Sequence, residues 1–373
     1  MEKIAIIGGG IIGMTLANYV DTTKYSITLF DHGIGQATKA SAGIISPWLS
    51  KRRNKTWYRL AKDGAAFFPK LVQDFALDPT IYAPTIYARS GTLLLRQKEQ
   101  LAELLDLAEE RKKEAPEIGE IHLLKADQTA DLLPLLKPTP SLFITGGGRL
   151  DGKAYLHYLT ARLKRAGVTV INDKIRLQKR SDNWLILGEF GEEPFDRVIL
   201  TPGPSLKPLL EPLGYQVDLR PQKGQLIAFT THQLQSQKWP VAMLDGEADL
   251  IPFNDGKILL GATHENEQGW DLTPTNEAFL QLTEQTKAFF VQPEKLLSQP
   301  YQLQVGTRAY TSDFAPFFGP LFDEPNLIVA SGLGSSGLTT GPYIGYLLAE
   351  FINTGTWHGT DYQKDLHNYI KKT

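Results

Sequence analysis

Three glycines near the N-terminus are the first residues whose spacing predicts a chemistry. Gly8, Gly10 and Gly13 stand in the stretch IIGGGIIG, which fits the pattern Gly-x-Gly-x-x-Gly of dinucleotide binding. In that pattern the first glycine permits a tight turn, the second lets the backbone approach a pyrophosphate, and the third lets a helix pack closely on a sheet. The following helix N-terminus offers N–H groups to the phosphates. NAD, NADP and FAD all carry a pyrophosphate, so the glycines alone do not distinguish these cofactors.

An acid follows the glycines at the distance typical of ribose binding. KIAIIG is a short apolar run that predicts a buried parallel strand, GIIGMTLANYV predicts a helix, and SITLFD predicts a second strand ending at Asp31. A carboxylate about 20 residues after the glycines would bond the ribose hydroxyls. Because it would also repel a 2′-phosphate, Asp31 disfavours NADP.

Two further stretches favour a flavin over a nicotinamide. Small residues at Ala40, Ser41 and Gly43 allow close backbone approach, and the Ser41 hydroxyl could serve a phosphate. Near the C-terminus, LIVAS predicts a strand, GLGSSGLTTG a turn and PYIGYLLAEFI a helix, whose N-terminus suits the negative charge of a reduced flavin. Without a ligand, the first stretch would be a flexible loop and the second a capped helix. An NAD-dependent dehydrogenase remains the alternative.

The composition argues against several other kinds of site. The chain has 373 residues, a net charge of −2 and no cysteine, which excludes disulfides, thiolate ligands and a cysteinyl flavin. The seven histidines form no metal-binding pattern, so no metal is expected, and nothing favours a nucleic-acid partner. No apolar run reaches the ~18 residues of a membrane helix, and the first residues do not favour a secretory signal, so none is expected. A cytoplasmic location is expected, and the basic run at residues 51–55 is expected to be solvated.

Short stretches in one order along almost the whole chain identify a family. They are IIGGGIIG with Asp31, KASAGII, GGGRLDGKAYLHYLTARLKRAGVTV, DRVILTPG, RPQKGQLIAF, DLIPFNDGKILLGATHE, GTRAYTSDFAPFFGP and ASGLGSSGLTTGP. Together they resemble the FAD-dependent D-amino-acid oxidase, glycine oxidase and sarcosine oxidase (DAO) family. The resemblance implies a glycine oxidase-like α/β fold, α+β overall, with a Rossmann-like FAD-binding domain interleaved with an antiparallel-sheet substrate domain.

The same resemblance implies the domain segments and the residues that hold noncovalent FAD. Residues 1–75, 145–215 and 305–373 would form the FAD-binding domain, and residues 76–144 and 216–304 the substrate-binding domain. The backbone near Ile175 would lie by the adenine, and His32 would lie far from the flavin ring. The implied cofactor-binding set is Gly8, Gly10, Ile12, Gly13, Asp31, His32, Ala40, Ser41, Gly43, Ile44, Ile175, Gly203, Gly334, Ser335, Ser336, Gly337, Leu338 and Thr339.

The implied reaction oxidises the C–N bond of a small amino acid or amine. Hydride passes to flavin N5, and the resulting imine is hydrolysed. Positioning does most of the work, so no side-chain base is needed if the amine arrives neutral. The electron acceptor, oxygen or a quinone or carrier protein, stays open, as do the oligomeric state and the alternative of an FAD-binding protein without turnover.

Arg308, in GTRAYTSDFAPFFGP, is the first candidate for a substrate contact. It matches the arginine with which glycine and D-amino-acid oxidases bind the substrate carboxylate, for which a guanidinium is suited. Alternatively, Arg308 pairs with Asp313 and braces the loop. Tyr310 could reach the substrate or pack in the core, and His264 is expected to be a structural or surface group.

Three positions depart from the family's pattern and put the substrate in doubt more than the reaction. Ala309 follows Arg308 where the family usually has proline. Asp249 stands where many amino-acid oxidases have a substrate-contacting tyrosine, and its carboxylate could hold a cationic substrate or face solvent. Ser335 stands where some glycine oxidases have a second arginine.

Overall fold

The structure is a computed structural model that describes residues 1–51, 54–77, 86–181 and 183–373. Arg52 and Arg53 of the basic run, and residues 78–85 of the predicted segment 76–144, lie outside the described residues. The described α-helices are α1 (Ile11–Tyr19), α2 (Lys55–Ala66), α3 (Phe68–Asp74), α4 (Lys98–Lys112), α5 (Ala126–Leu132), α6 (Gly152–Arg165), α7 (Leu206–Leu210), α8 (Asn276–Thr286), α9 (Pro293–Leu297) and α10 (Gly337–Thr354).

A six-stranded, mostly parallel sheet forms one layer of the fold. Its strands, in spatial order, are β20 (Phe317–Pro320), β21 (Leu327–Ser331), β13 (Arg197–Leu200), β1 (Glu2–Ile7), β2 (Tyr25–Phe30) and β9 (Thr169–Ile171). All neighbours are parallel except β20, which is antiparallel to β21. Ile4 and Ile6 enter one hydrophobic cluster, and Ala5 and Ile7 enter another. The sheet is therefore buried on both faces, as its apolar sequences predict.

An eight-stranded sheet forms the other layer. In spatial order it contains β19 (Tyr301–Tyr310), β15 (Arg220–Thr230), β18 (Lys257–Gly261), β17 (Asp249–Pro252), β16 (Val241–Met243), β5 (Thr92–Leu94), β7 (Ser141–Ile144) and β6 (Ile121–Leu124). The pair β16–β5 is parallel, and the other neighbours are antiparallel. Asp255 and Gly256, with φ of 54° and 75°, turn the chain from β17 to β18, as in the common two-residue hairpins. The α/β fold class with one parallel and one antiparallel sheet is confirmed; the domain boundaries stay a prediction.

Three small sheets complete the strands. They are β3 (Ile44–Ile45), β8 (Gly148–Leu150) and β4 (Tyr87–Ala88); β10 (Arg176–Lys179), β11 (Trp184–Gly188) and β12 (Gly191–Phe195); and β14 (Tyr215–Val217) with β22 (Ile370–Lys372). Helix α4 is amphipathic and buries the side chains of Leu101 and Leu104. Among the described helices, none is long and apolar enough to cross a membrane.

Helices α1 and α10 pack against each other and begin at the same edge of the parallel sheet. Each helix follows the carboxyl end of a strand, β1 and β21, and both strands run parallel to β13. Gly345 permits the contact, because a Cβ there would lie 2.8 Å from the carbonyl oxygen of Ile12. Two helix N-termini therefore face the region beyond this edge, where open α/β sheets bind their ligands.

Gly13 brings α1 against the turn that follows β1. A Cβ at Gly13 would lie 2.0 Å from the carbonyl oxygen of Gly8 and 2.5 Å from Oγ1 of Thr201. We expect Gly13→Ala to lower the free energy of unfolding by about 1–3 kcal/mol, because the helix must move away from the turn. Thermal and denaturant unfolding measure this change, and a variant of unaltered stability would contradict the close packing.

Gly10→Ala is the matched control. Gly10 has a φ of −79°, and its added Cβ would meet only Oγ1 of Thr38, at 3.6 Å, among the described residues. The fold should therefore tolerate this methyl group. Since Gly10 faces the open side of the turn, its substitution should lower the amount of dinucleotide that copurifies and leave the unfolding of the ligand-free protein almost unchanged.

Candidate functional site

A cavity of about 900 Å³ lies between the carboxyl edge of the parallel sheet and one face of the eight-stranded sheet. The parallel sheet contributes residues at the ends of β1, β2, β13 and β21, and the other sheet contributes residues of β15, β17, β18 and β19. The volume is near the upper end of that of typical small-molecule sites. It therefore suits a large cofactor together with a small substrate.

The glycine turn forms one wall of this cavity. Gly8 has a φ of 105°, and a Cβ there would lie 2.5 Å from the carbonyl oxygen of Thr201, so only glycine fits. Oγ1 of Thr201 donates to the Gly8 carbonyl at 2.9 Å and fixes the turn. Gly10 faces the cavity at the N-terminus of α1, where the Ile11 N–H donates to Oγ1 of Thr38 at 3.1 Å. This is a cradle into which a pyrophosphate fits.

Asp31 lines the cavity and at the same time orders the glycine turn. Its carboxylate accepts hydrogen bonds from the backbone N–H groups of Gly9 and Gly33 and from Nε2 of Gln36. His32 and Ile175 line the same cavity. The contacts of Asp31 with a ribose stay a prediction, and Gln36 and Thr38 are polar wall residues that the sequence did not single out.

The small-residue loop after β2 lies along the cavity as well. Ala40, Ser41, Gly43 and Ile44 all line it. Gly43 has a φ of 83°, and a Cβ there would lie 2.1 Å from the carbonyl oxygen of Leu150. The Ser41 hydroxyl donates to the Thr38 carbonyl at 2.8 Å, which leaves its lone pairs as acceptors.

The C-terminal glycine loop supplies the N-terminus of α10 to the same cavity. Gly334, Ser335, Gly337 and Leu338 line it, together with Gly203 beyond β13. The first N–H groups of α10 have no partner within the helix, and the helix dipole gives this end a partial positive charge. The arrangement suits an electron-rich group.

Three of the predicted cofactor residues do not line the cavity but support its wall. Gly13 packs behind the glycine turn. The Ser336 hydroxyl accepts a hydrogen bond from Nε1 of Trp57 at 3.0 Å, and Oγ1 of Thr339 donates to the Ile44 carbonyl at 3.3 Å. Ile12 and the other members of the set lie in the wall.

Arg308 presents its guanidinium to the cavity from β19. Nη1 donates to Oε1 of Gln222 and to the carbonyl oxygen of Thr263, both at 2.9 Å. The group lies over Gly224, where a Cβ would be 2.7 Å from Cζ of Arg308. Gln222 is oriented in turn, because its Nε2 donates to Oδ1 of Asn266 at 2.9 Å. The guanidinium is therefore held in one place.

The charge of Arg308 has no carboxylate partner among the residues that the structure describes. The alternative of a pair with Asp313 is wrong, because Asp313 bonds Nζ of Lys364 at 2.6 Å and the hydroxyl of Tyr369 at 3.1 Å. Burial lowers the pKa of the Arg308 guanidinium below its ordinary value, although Tyr310 and Glu265 act in the opposite direction. Such a desolvated cation in a cavity wall can bind a carboxylate strongly.

Asp249 lines the same cavity from β17. Ile251, two residues further along this strand, packs with Ala42 and Ile44 of the small-residue loop, and alternate residues of a strand face the same side. Burial raises the pKa of Asp249 to about 7, against the lowering effects of the Arg96 charge and of a hydrogen bond from the Leu244 backbone. The carboxyl group therefore faces the cavity and not open solvent.

Tyr310 packs in the core, whereas His264 lies in the wall of the cavity. Tyr310 is buried, its ring packs against Gly334 and Phe314, and it does not line the cavity. His264 does line the cavity, as does Glu247, and Nδ1 of the histidine lies 3.7 Å from Oε2 of the glutamate. His264 lies in the loop three residues after β18, and only the tertiary structure shows that it lines the cavity.

A loop of the eight-stranded sheet covers part of the cavity and was missed in the sequence. Trp270 and Leu272 line the cavity from this loop. The buried ammonium of Lys223 holds it by donating to Oδ2 of Asp271 at 2.9 Å and to the Thr273 carbonyl at 2.7 Å. The backbone N–H of Thr273, and after it Lys223, lower the pKa of Asp271 to about 2. The sequence did not single out Lys223, because no pattern of residues distinguishes a lysine that holds a loop.

Comparison with known proteins assigns the chain to a family. The FAD dependent oxidoreductase family (DAO) matches residues 3–351, so the chain belongs to it. An uncharacterized oxidoreductase, YurR, of Bacillus subtilis is 34% identical over 94% of this chain and 95% of its own. The glycine oxidase of Pseudomonas aeruginosa is 25% identical over 94% of this chain and 95% of its own.

Solved structures agree with this assignment. The iminodiacetate oxidase of Chelativorans sp. BNC1 is 28% identical and superposes with a TM-score of 0.89 over 98% of both chains. The glycine oxidase of Geobacillus kaustophilus, 18% identical, has the same fold with a TM-score of 0.82 over 97% of this chain and 98% of its own. The protein is therefore an FAD-dependent oxidoreductase in a family of amine and amino-acid oxidoreductases.

The cavity fits FAD, because a glycine cradle, an acid and a second helix N-terminus follow one another along its wall. In the described ranges, no group of three or more His, Cys, Asp or Glu side chains is placed to hold a metal ion.

The raised pKa of Asp249 predicts a stability that depends on pH. The folded state binds this proton up to about pH 7, whereas the unfolded chain releases it near pH 4. Stability is therefore lost as the pH rises between these values. We expect Asp249→Asn to raise the free energy of unfolding by about 1–3 kcal/mol at pH 8 and by much less at pH 5, measured by thermal unfolding. Asp245→Asn is the control, because Asp245 is an exposed acid just before β17.

The link between Gln222 and Arg308 predicts how this site binds small carboxylates. Gln222→Leu removes one of the two acceptors that hold Nη1, so we expect acetate to bind about 10-fold more weakly. Gln222→Glu places a carboxylate beside the guanidinium and should weaken acetate binding further. Titration of the flavin absorbance with acetate measures both. Wild-type affinity in Gln222→Glu, with FAD content unchanged, would show that Arg308 is not the carboxylate site.

Proposed function

We propose that the protein oxidises the C–N bond of a small amino acid and that Arg308 binds the substrate carboxylate. The observation that carries this proposal is the desolvated guanidinium of Arg308, which lines the same cavity as the glycine turn and has no carboxylate partner among the described residues. Two relatives in the family, by name a glycine oxidase and an iminodiacetate oxidase, act on small amino acids or related amines.

The residues that would hold FAD follow from the wall of the cavity. The turn at Gly8 and Gly10 would receive the pyrophosphate, Asp31 the ribose, and the N-terminus of α10 the electron-rich part of the ring. When bound, FAD would supply the acceptor for the hydride that leaves the carbon next to the substrate nitrogen. The resulting imine would be hydrolysed by water.

The chain's own contribution is to bind and orient the substrate. Gln222 and the Thr263 carbonyl fix Arg308, so that a carboxylate bound there has one orientation. The loop with Trp270 and Leu272, held by Lys223, narrows access from solvent. Prior orientation of this kind removes much of the entropic cost of reaction, and no general base is required for a neutral amine.

Anaerobic mixing with candidate substrates tests the proposal. Glycine, D-amino acids and N-methyl amino acids should bleach the absorbance of the oxidised flavin. Arg308→Ala should retain FAD but lose 10-fold or more in apparent affinity for these substrates, because a charge-assisted hydrogen-bond pair is worth about 1.5–3 kcal/mol. Arg308→Lys should recover only part of this loss, since lysine lacks the guanidinium fork.

Arg89→Ala is the control for Arg308. Arg89 is exposed, donates to the Glu117 carbonyl at 3.2 Å and does not line the cavity. Failure of the whole panel to reduce the flavin would refute the proposed function. Reoxidation with air, followed by an assay of hydrogen peroxide, then distinguishes oxygen from a carrier as the electron acceptor.

A further inference from the structure

We infer that Asp249 selects substrates by their charge. It favours substrates that carry one carboxylate and a neutral or cationic nitrogen end, and it disfavours amines with a second carboxylate. This inference rests on the proposed function, because it concerns the same site. It adds a residue that determines specificity and a substrate class.

The register of the eight-stranded sheet places Asp249 and Arg308 on the same face. Arg308 pairs with Gln222, and Gly224 and Leu226 follow on the same side of β15. Leu226 pairs with Gly261, and Gly261 pairs with Asp249. Since paired residues point to the same side of a sheet and alternate residues share a face, both charged side chains point toward the cavity.

The side chains of Arg308 and Asp249 reach the cavity from neighbouring positions of this face. Arg308 is bonded to the Thr263 carbonyl, two residues beyond Gly261, and Asp249 lies directly across from Gly261. A substrate whose carboxylate binds Arg308 would therefore extend its nitrogen end toward Asp249.

The surroundings of Asp249 leave its charge available to a ligand. Arg96 is the nearby cation, but its Nη1 donates to the carbonyl oxygens of Leu95, Met243 and Leu244, and its Nε lies 3.7 Å from Oδ1 of Asp245. Arg96 does not line the cavity. Above about pH 7, where Asp249 is ionised, a second carboxylate would meet a like charge in a desolvated wall, whereas a cationic nitrogen would stabilise the ionised Asp249.

A second acid near Asp249 also favours a cationic nitrogen end on the substrate. Glu247 also lines the cavity, so the nitrogen end of a substrate would meet two acids. His264 lines the cavity too, with its Nδ1 3.7 Å from Oε2 of Glu247, and is the group that a second carboxylate could contact. The test must therefore vary the charge of the substrate and that of residue 249 separately.

Three N-substituted glycines of similar shape provide the test: N-ethylglycine, N-(2-aminoethyl)glycine and iminodiacetate, which carry a neutral, a cationic and an anionic substituent. The rate of anaerobic flavin reduction against substrate concentration, measured at pH 8 where Asp249 is ionised, gives kcat/KM for each. The wild-type protein should use the cationic and neutral compounds at least about 10-fold better than iminodiacetate. In Asp249→Asn this preference should fall about 10-fold, mainly through KM, while acetate binds no more weakly than in the wild type.

Asp245→Asn, which removes an acid outside the cavity, should keep the wild-type preference. If no compound or amino acid reduces the wild-type flavin, the proposed function fails. If the compounds are oxidised but iminodiacetate is preferred, or if Asp249→Asn lowers all three rates equally, the proposed function stands and the inference about Asp249 is overturned. If Asp249→Asn does not bind FAD, Asp249→Ser takes its place, and the same fall in preference is expected.

Discussion

The site depends on one close contact between the turn after β1, the end of β13 and the start of α1. Gly8 and Gly13 approach the backbone and side chain of Thr201 so closely that no Cβ fits at either glycine. This contact fixes where α1 begins, and α10 packs on α1 through Gly345. Because both helices follow parallel strands, their N-termini open on one cavity. The two ends that can receive negative charge are thus placed by packing, before any ligand binds.

The antiparallel sheet supplies the opposite wall by a different physical rule. Strand pairing, not proximity in sequence, brings together Arg308 of β19, Asp249 of β17 and Gly224 of β15. A bare glycine at position 224 gives the guanidinium its space. One sheet thus forms the wall with the glycine turn and the two helix N-termini, and the other forms the wall with Arg308 and Asp249.

Both charged groups of this wall are kept at a cost in stability. Burial lowers the pKa of Arg308 and raises that of Asp249, so each group is less stable in its charged form than it would be in water. A bound ligand of complementary charge offsets part of this cost. Such a trade of stability for binding is typical of functional sites. In contrast, the buried ammonium of Lys223 meets Asp271 within the protein and serves to hold a loop.

Several features of the protein were determined by the sequence alone. The glycine spacing with Asp31, the strand KIAIIG and the helix after it are local patterns, and each has the predicted structure. The order of the stretches along the chain identified the family and its cofactor. These predictions succeed because backbone geometry and the period of apolar residues act within a few residues of each other.

Only the tertiary structure decided which side chains share the cavity. The orientation of Asp249 depends on strand register across the large sheet, and the separation of Tyr310 from the cavity and the presence of His264 and Trp270 in its wall depend on how the strand ends and loops of this sheet pack. The partner of Asp313 is likewise Lys364, far along the chain, and not Arg308. A shift of one residue in register would turn every side chain of a strand to the other face. The sequence therefore determines that the protein binds a dinucleotide and has in Arg308 a candidate group for binding a carboxylate, whereas long-range strand pairing determines which charged side chains share the cavity with it.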